Sequence, residues 1–444
     1  MTISRTICLG FLAVIIVGSI LLTMPFSGES GTWNSPLVAL FTSTSAVCVT
    51  GLSVVDPGTY FSFWGQLIIL LLVQIGGLGY MTTTTFLLLL LGRRFDLKQK
   101  FAIQESFDRP FLQGSANLLR SIFATTLLFE LTGIILMFGI FAKDHGVVRG
   151  LWLAIFHSVS AWNNAGFSLF KDNLMGYHSS IIINLTIAGL IIFGGIGYQV
   201  IIEMYLWLRE KIRRSPRRFA FSLNFKVAIH TTIILLLLGT VAFLLTESYN
   251  GDTMADFSIK DKILASFFQS VTTRTAGFNT IDNGRLTFES LLFTIILMFI
   301  GASPSGTGGG IKTTTLSILA TCSKAVLRGD QDVVMYNRRL PSGLILKSVA
   351  VVFGSGITVF VATLIISWVT KDFGSIQILF EVVSAFGTVG LSMGITGSLP
   401  ALAQIAIVIT MYIGRVGIVL LIAAIVGDSR PRIIEYPQEN LLVG

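Results

Sequence analysis

Charge is scarce in this chain. Only 12% of its 444 residues are Asp, Glu, Lys or Arg, against about 25% in an ordinary soluble domain. With 53% of residues hydrophobic, that scarcity excludes a solvated globular fold and points to the lipid bilayer. Cysteine is scarcer still. Cys8, Cys48 and Cys322 stand far apart with no C-x-x-C pair, which argues against a disulfide framework and a zinc site. The four histidines, His145, His157, His178 and His230, have neither metal-ligand nor triad spacing. No H-E-x-x-H and no nucleophile–base pair lies within an apolar run, so the sequence carries no sign of an intramembrane enzyme. A cleavage site is missing too. The first apolar run, 7–24, has no small-x-small pattern before Pro25 and reads as a retained span.

The net charge of +8 comes from clusters between apolar runs, not from one continuous patch. That pattern fits membrane topology and gives no reason to expect a nucleic-acid partner. One set of loops holds "RRFDLKQK" (93–100), "REKIRRSPRR" (209–218), "KAVLRGD" (324–330), Arg338–Arg339 and "SRPR" (429–432). The other set is mixed or acidic, as in 246–262. The positive-inside rule then puts the first set and both termini in the cytosol. The basic loops also suit contact with anionic lipid or a partner.

What the chain has in abundance is apolar runs and glycine, the latter at 44 positions. Eight runs approach the roughly 20 residues needed to cross a bilayer: 6–24, 64–92, 118–141, 181–208, 225–246, 290–322, 346–369 and 402–427. A shorter apolar segment follows the first run of each pair: Pro36–Val47, 150–161, 262–272 and 375–386. These are too short to span and have the length of re-entrant segments. Each leads into a similar tail, "SAVCVTGLS", "SAWNNAGFS", "VTTRTAGFN" or "SAFGTVGLS". The glycines of these tails are Gly51, Gly166, Gly277 and Gly390, so the pattern recurs after 115, 111 and 113 residues (51 to 166, 166 to 277, 277 to 390). Four copies of span, short helix, glycine loop and span make an internally repeated chain. The repeats are 1–109, 110–219, 220–339 and 340–430, with a tail at 431–444. The fold expected is an all-α polytopic membrane protein, with eight transmembrane helices and four re-entrant half-helices set pseudo-four-fold around one central pore.

Irregular backbone at membrane depth must be buried in protein or line a wet cavity. Four equivalent loops around one axis form a collar whose peptide carbonyls can replace a cation's hydration shell. The expected collar residues are Val49, Thr50 and Gly51; Asn164, Ala165 and Gly166; Thr275, Ala276 and Gly277; and Thr388, Val389 and Gly390. Each short helix aims its C-terminal partial negative charge at that centre, which favours a cation. Residues beside the glycines are uncharged, so carbonyls and not carboxylates must act, which suits a large, weakly hydrated ion such as K⁺. Arg274 lies in the third collar segment. Either its side chain turns away and ties carbonyls behind the collar, or the site repels cations.

The second runs also align, as "QIGGLGY" (74–80), "FGGIGYQ" (193–199), "FIGASPSG" (299–306) and "YIGRVGI" (412–418). Helix packing is the simplest reading of the glycines in the first two. The third cannot continue as one helix. "GASPSGTGGGIKTT" (301–314) contains a proline, which removes a backbone donor, and five glycines, each costing about 1 kcal/mol against alanine. This intramembrane loop is placed to obstruct the path beneath the collar through Gly306, Thr307, Gly308, Gly309, Gly310 and Lys312, with Arg415 aligned beside it. Lys312 either takes part in that gate or snorkels toward the cytosol. A phosphate-binding loop is excluded because Ile311 separates Gly310 from Lys312. Glu130, Glu203 and Glu381 lie in or near spans, and a helix-tying hydrogen bond is the reading for Glu130.

"TSAVCVTGL", "SAWNNAGFSL", "TTRTAGFN", "SAFGTVGLS", "GTGGGIKTT" and "YIGRVG" together resemble the Trk/Ktr/HKT superfamily of potassium transporters. The resemblance covers nearly the whole chain and is nearest to the membrane subunits of bacterial Ktr systems, the KtrB type. Trk-type subunits usually carry an extra helix pair before the first repeat, and this chain opens on its first span. The resemblance implies K⁺ uptake across the cytoplasmic (inner) membrane, one filter glycine per repeat, a gating loop at 301–314 and a pore-restricting arginine at Arg415. Serine at the first filter position goes with Na⁺, so Gly51 implies K⁺. A homodimer and a cytosolic ring of nucleotide-binding regulatory subunits of the KtrA/RCK type are the implied partners, with ATP, ADP or NAD read only by that ring. No cofactor is expected in this chain, and dependence on Na⁺ stays open. The alternative function is an alternating-access Na⁺ or K⁺ symporter. Parallel repeats speak against it, because inverted repeats are the usual basis of alternating access.

Overall fold

The computed structural model describes residues 3–79, 115–213 and 219–427. The basic loop 93–100, residues 214–218 of the second basic cluster and the tail 431–444 lie outside them. The regular elements of the described chain are helices apart from an antiparallel hairpin of two two-residue strands, β1 (Val334–Met335) and β2 (Arg338–Arg339).

Four helices are long and apolar enough to cross a bilayer unbroken. They are α1 (Ile3–Thr23), α5 (Ser115–His145), α9 (Leu223–Glu247) and α13 (Ser342–Val369). Each opens one of the expected repeats. Their outward faces are apolar, with Ile135, Leu237 and Phe353 all exposed. Polar side chains turn inward instead. This reverses the arrangement of a water-soluble protein and fits a hydrocarbon surround.

After each long helix comes a short one: α2 (Pro36–Val47), α6 (Val147–Trp162), α10 (Ile259–Thr272) and α14 (Ser375–Gly387). All four expected re-entrant segments are helical here, and Pro36–Val47 has the expected bounds. In the first three repeats a serine on the short helix donates to a carbonyl of the preceding long helix. The pairs are Ser43 to Ile15 O (2.8 Å), Ser158 to Glu130 O (2.6 Å) and Ser270 to Leu236 O (2.9 Å). Gly18, Gly133 and Gly239 face those same hydroxyls, so the two helices approach with no side chain between them.

The second runs of the second and fourth repeats depart from expectation, and residues 80–92 of the first lie outside the described residues. A break was expected only in the third, yet the helices stop at matching places in all four. α4 (Phe63–Leu78) ends at Gly79. α7 (Ile181–Ile196) and α8 (Tyr198–Ile212) meet at Gly197 with a bend of 101°. α15 (Ala401–Val416) and α16 (Ile418–Val426) meet at Gly417 with a bend of 93°. In the third repeat α11 (Phe288–Phe299) runs into the irregular loop, and α12 (Thr313–Arg328) follows it. The cause is backbone geometry: Gly79, Gly197 and Gly417 have φ of 78°, 96° and 86°, which ends a right-handed helix and which side-chain-bearing residues resist. Continuous spans over 181–208 and 402–427 are therefore corrected to bent pairs. By length and composition the described residues contain four crossing helices, or six with each bent pair counted once.

The packing reading does hold for another glycine of each motif. A Cβ on Gly76, Gly194 or Gly414 would strike the carbonyl of Val47, Trp162 or Phe386 at the end of a short helix. A further four-residue turn, α3 (Pro57–Tyr60), is N-capped by Asp56, whose carboxylate accepts from Gly58 N at 3.1 Å.

Candidate functional site

The four glycine tails meet at the centre of the molecule. A Cβ on Gly51 would lie 2.5 Å from Ala165 O and 3.0 Å from Gly166 Cα. One on Gly166 would lie 2.7 Å from Ala276 O and 2.9 Å from Gly277 Cα. One on Gly277 would lie 2.5 Å from Val389 O and 3.2 Å from Gly390 Cα. One on Gly390 would strike Thr50 O and lie 3.1 Å from Gly51 Cα. Each glycine thus faces the peptide oxygen just before the next one, and the order closes on itself. No side chain fits in this ring without displacing backbone.

The backbone conformation is also shared. Val49, Asn164, Thr275 and Thr388 have φ of 58°, 56°, 66° and 49°, and the four ring glycines have φ of 68° to 90°. Left-handed residues on both sides of an ordinary one re-aim successive peptide groups, and for residues other than glycine that is a strained arrangement. Hydrogen bonds to the preceding helix hold it. Thr50, Ala165 and Val389 N–H donate to Ser45, Ser160 and Ser384 O at 2.8 Å, and Ala276 N–H to Thr272 O at 3.0 Å. Gly51 and Gly390 N–H donate to Ser45 and Ser384 Oγ, each at 3.1 Å. Ser160 and Thr272 hydroxyls donate instead to Phe167 O (2.8 Å) and Phe278 O (2.5 Å). These bonds hold each tail against its helix while the oxygens of Thr50, Ala165, Ala276 and Val389 face the ring glycines.

A second layer of ties was not foreseen. Nine residues before the ring glycine stand His157 in the second repeat and Glu381 in the fourth, both fully enclosed. His157 Nε2 meets Ser168 Oγ at 3.0 Å. Glu381 accepts from Ser392 Oγ (2.5 Å), Met393 N (3.0 Å) and Thr396 Oγ1 (2.9 Å). Each anchors the chain two residues beyond the glycine. The only sequence signal was their equal offset, carried by unlike residue types.

On one side of the ring lies a cavity of about 400 Å³ lined by Ser53, Asp56, Asp172, Asn279 and Asp282 among others. On the other lies one of about 390 Å³, lined by Gly77, Gly79, Lys312 and Arg415 and by Pro304, Ser305, Gly306, Gly308 and Gly310 of the broken third run. The loop 301–312 sits between that second cavity and the ring. Gly309 N–H donates to Thr388 Oγ1 at 2.9 Å, Thr307 Oγ1 to Trp162 O at 3.4 Å and Thr307 N–H to Gly194 O at 3.1 Å. A Cβ on Gly308 would strike Thr275 Oγ1. The loop therefore touches the collar segments of repeats two, three and four at once.

Two cations close around it. Lys312 Nζ donates to Gly308 O at 2.8 Å, so it turns back onto the loop and does not extend away from it. Arg415 donates through Nη1 to Thr307 O and through Nη2 to Gly76 O. It joins the third-repeat loop to the helix of the first repeat. Arg274 turns away from the ring toward Thr232 Oγ1 (3.4 Å). The turn away was one of the two readings for Arg274, but its partner is a hydroxyl on α9, not a carbonyl. Asn163 Nδ2 donates to Glu130 Oε1 (3.4 Å) and to Gln74 Oε1 (2.8 Å), so Glu130 on α5 does tie to the end of α6, and Asn163 links that pair to α4 of the first repeat. Glu203 accepts from Ser222 N–H (3.0 Å) and Oγ (2.8 Å), at the start of α9. Among the described residues no group of three His, Cys, Asp or Glu is placed to hold a metal.

Long, bent and short apolar helices with an apolar exterior and an enclosed polar centre define the class: a multi-pass helical membrane protein. A family model described as "TrkH: Cation transport protein" matches residues 7–434, and the chain belongs to that family. It is a transport protein and not an enzyme. A Bacillus subtilis protein named Ktr system potassium uptake protein B is 36% identical, covering 99% of this chain and 96% of the relative. A Vibrio alginolyticus protein of the same name is 37% identical, with 99% and 94% covered. The Enterococcus hirae potassium/sodium uptake protein NtpJ is 33% identical, with 99% and 97% covered. Among solved structures, the potassium transporter TrkH from Vibrio parahaemolyticus shares the fold, with a TM-score of 0.68, 18% identity and 93% of this chain and 84% of that one covered.

Proposed function

We propose that this chain is the K⁺-translocating subunit of a Ktr-type uptake system in the cytoplasmic membrane. The observation that carries the proposal is the closed ring of Gly51, Gly166, Gly277 and Gly390, each facing a peptide oxygen of its neighbour. In this reading the ring and the residues before it form a pseudo-four-fold selectivity filter. An entering ion loses water and gains carbonyl oxygens in its place. The short helices end at the ring, at Val47, Trp162, Thr272 and Gly387. Each contributes roughly half a negative charge there, which stabilises a dehydrated cation. The names of the relatives supply the ion, K⁺, and the potassium/sodium relative keeps Na⁺ as a second transported or activating ion.

The loop 301–312 is the gate of this pathway. Gly306, Thr307, Gly308, Gly309, Gly310 and Lys312 stand below the filter, and Arg415 holds the loop by Thr307 O. Both cations also oppose a passing K⁺ by charge. Opening requires Arg415 to release, and hydrogen bonds to a charged group contribute about 1.5–3 kcal/mol each. The positive-inside rule puts the Asp-lined cavity outside and both termini in the cytosol. In this reading the chain acts as a homodimer with a cytosolic nucleotide-binding ring, the partners that the family resemblance implies; the relatives' naming as parts of a Ktr system supports a multi-component assembly. Liposome uptake of ⁸⁶Rb⁺ tests the reading. K⁺ should compete at least about tenfold more strongly than Na⁺, the equivalent of about 1.4 kcal/mol. Equal competition, or strict coupling of each Rb⁺ to a second ion, would overturn the filter in favour of a carrier.

A further inference from the structure

A third cavity has no part in that pathway. It measures about 900 Å³ and lies between α9, α12 and the β1–β2 hairpin. Thr231 and Ser317 hydroxyls join the two helices along one wall at 2.6 Å. Met335, Leu340 and Val227 pack into a small apolar cluster where the hairpin meets α9. The two ends of the cavity differ in character. At one end Ile234 is 54% exposed and opens onto the apolar face of α9 that carries Leu237 and Leu238. At the other end stand Lys324 and Arg328, both exposed. Neither has a carboxylate or hydrogen-bond partner among the described residues. Of the two acids lining the cavity, Asp332 is paired with Arg339 at 2.9 Å, which leaves Asp330 alone against two cations.

We propose that this cavity binds one anionic phospholipid, its phosphate between Lys324 and Arg328 and an acyl chain leaving past Ile234 along α9. Basic pockets between transmembrane helices near a bilayer surface take such headgroups, and each Lys or Arg near an anionic surface strengthens binding. The exposed apolar wall selects a ligand with a hydrocarbon tail over a soluble phosphate. The charge is complementary as well: the chain carries +8 and offers this end of the cavity no free anion besides Asp330. α12 gives the site a consequence. Its N-cap is Lys312, the residue that holds Gly308, and Lys324 lies twelve residues on, about 18 Å along the same helix. A lipid that fixes α12 therefore fixes the frame from which the loop hangs. This last step rests on the reading of the loop as a gate.

The test is native mass spectrometry of the purified full-length protein with dioleoylphosphatidylglycerol, dioleoylphosphatidylcholine or sn-glycerol 1-phosphate. Wild type should retain phosphatidylglycerol over phosphatidylcholine. K324Q/R328Q should bind it about 25-fold more weakly, about fivefold for each charge removed, and D330N should bind it more tightly. Both cationic side chains are exposed, so an unchanged thermal transition is expected and serves as the folding control. Equal phosphatidylglycerol binding by the double variant would overturn the site. So would equal competition by glycerol phosphate, which makes it a soluble-anion site. Loss of dimer mass with lipid binding unchanged would also overturn it, by making the surface a contact between copies. ⁸⁶Rb⁺ uptake should respond to phosphatidylglycerol content in wild type and not in K324Q/R328Q. Lipid binding without that response sinks the coupling to the gate alone.

Discussion

At the scale of single residues the account turns on glycine and arginine. The ring glycines are constrained twice, by positive φ and by the neighbour's carbonyl. Gly51→Ser introduces a Cβ 2.5 Å from Ala165 O, so the first and second loops must separate. K⁺ over Na⁺ preference, measured by competition against ⁸⁶Rb⁺ uptake, should fall by about tenfold, near 1.4 kcal/mol. Unchanged preference with normal expression would show that the ring does not set selectivity. Arg415 acts through two carbonyls on separate elements. Arg415→Gln removes the charge and weakens both bonds, worth about 1.5–3 kcal/mol each. Basal uptake should rise about tenfold or more, and a fall would mean that the arginine supports the open path. These residues differed in how plainly the sequence displayed them. Gly51 and its equivalents stood out because four copies of one tail make a signal that a single copy lacks. Glu381 and His157 did not, because their partners become neighbours only once the tail folds back on its helix.

At the scale of elements the recurrent break in the second runs is the main finding beyond the sequence. A glycine that packs against a neighbouring carbonyl and one that ends a helix are the same letter. Gly76, Gly194 and Gly414 do the first, and Gly79, Gly197 and Gly417 do the second. Only in the third repeat did a proline and a run of glycines make the break legible, at 301–312. There the loop is fixed internally by Gly301 N–H to Ile311 O at 2.8 Å and by Ser303 and Thr313 hydroxyls at 2.8 Å. It meets the collar through Gly309 N–H and Thr388 Oγ1. Shortening the loop by removing 306–310 deletes the part below the ring while α11 and α12 remain. Basal ⁸⁶Rb⁺ uptake should rise several-fold, with K⁺ over Na⁺ preference kept. Uptake at the wild-type level would reduce the loop to a kink that happens to lie near the path.

At the scale of the molecule run length found the four unbroken helices but did not separate them from 181–208 and 402–427, which bend at a glycine. Sidedness rests on charge, part of it carried by 93–100, 214–218 and 429–432, which lie outside the described residues. It can be tested at described positions. In a cysteine-free background, Asp252→Cys should react with a membrane-impermeant maleimide in intact cells, and Asp330→Cys should react only after permeabilisation; both side chains are exposed. The reverse pattern would invert the molecule and put the loop outside the filter. The central claim concerns the middle of the ring, and a crystal grown in Rb⁺ examines it directly. The account predicts an anomalous peak on the axis enclosed by Gly51, Gly166, Gly277 and Gly390, lost when Rb⁺ is replaced by Na⁺. A ring without a Rb⁺ peak, in a crystal where Rb⁺ is bound elsewhere, would contradict it.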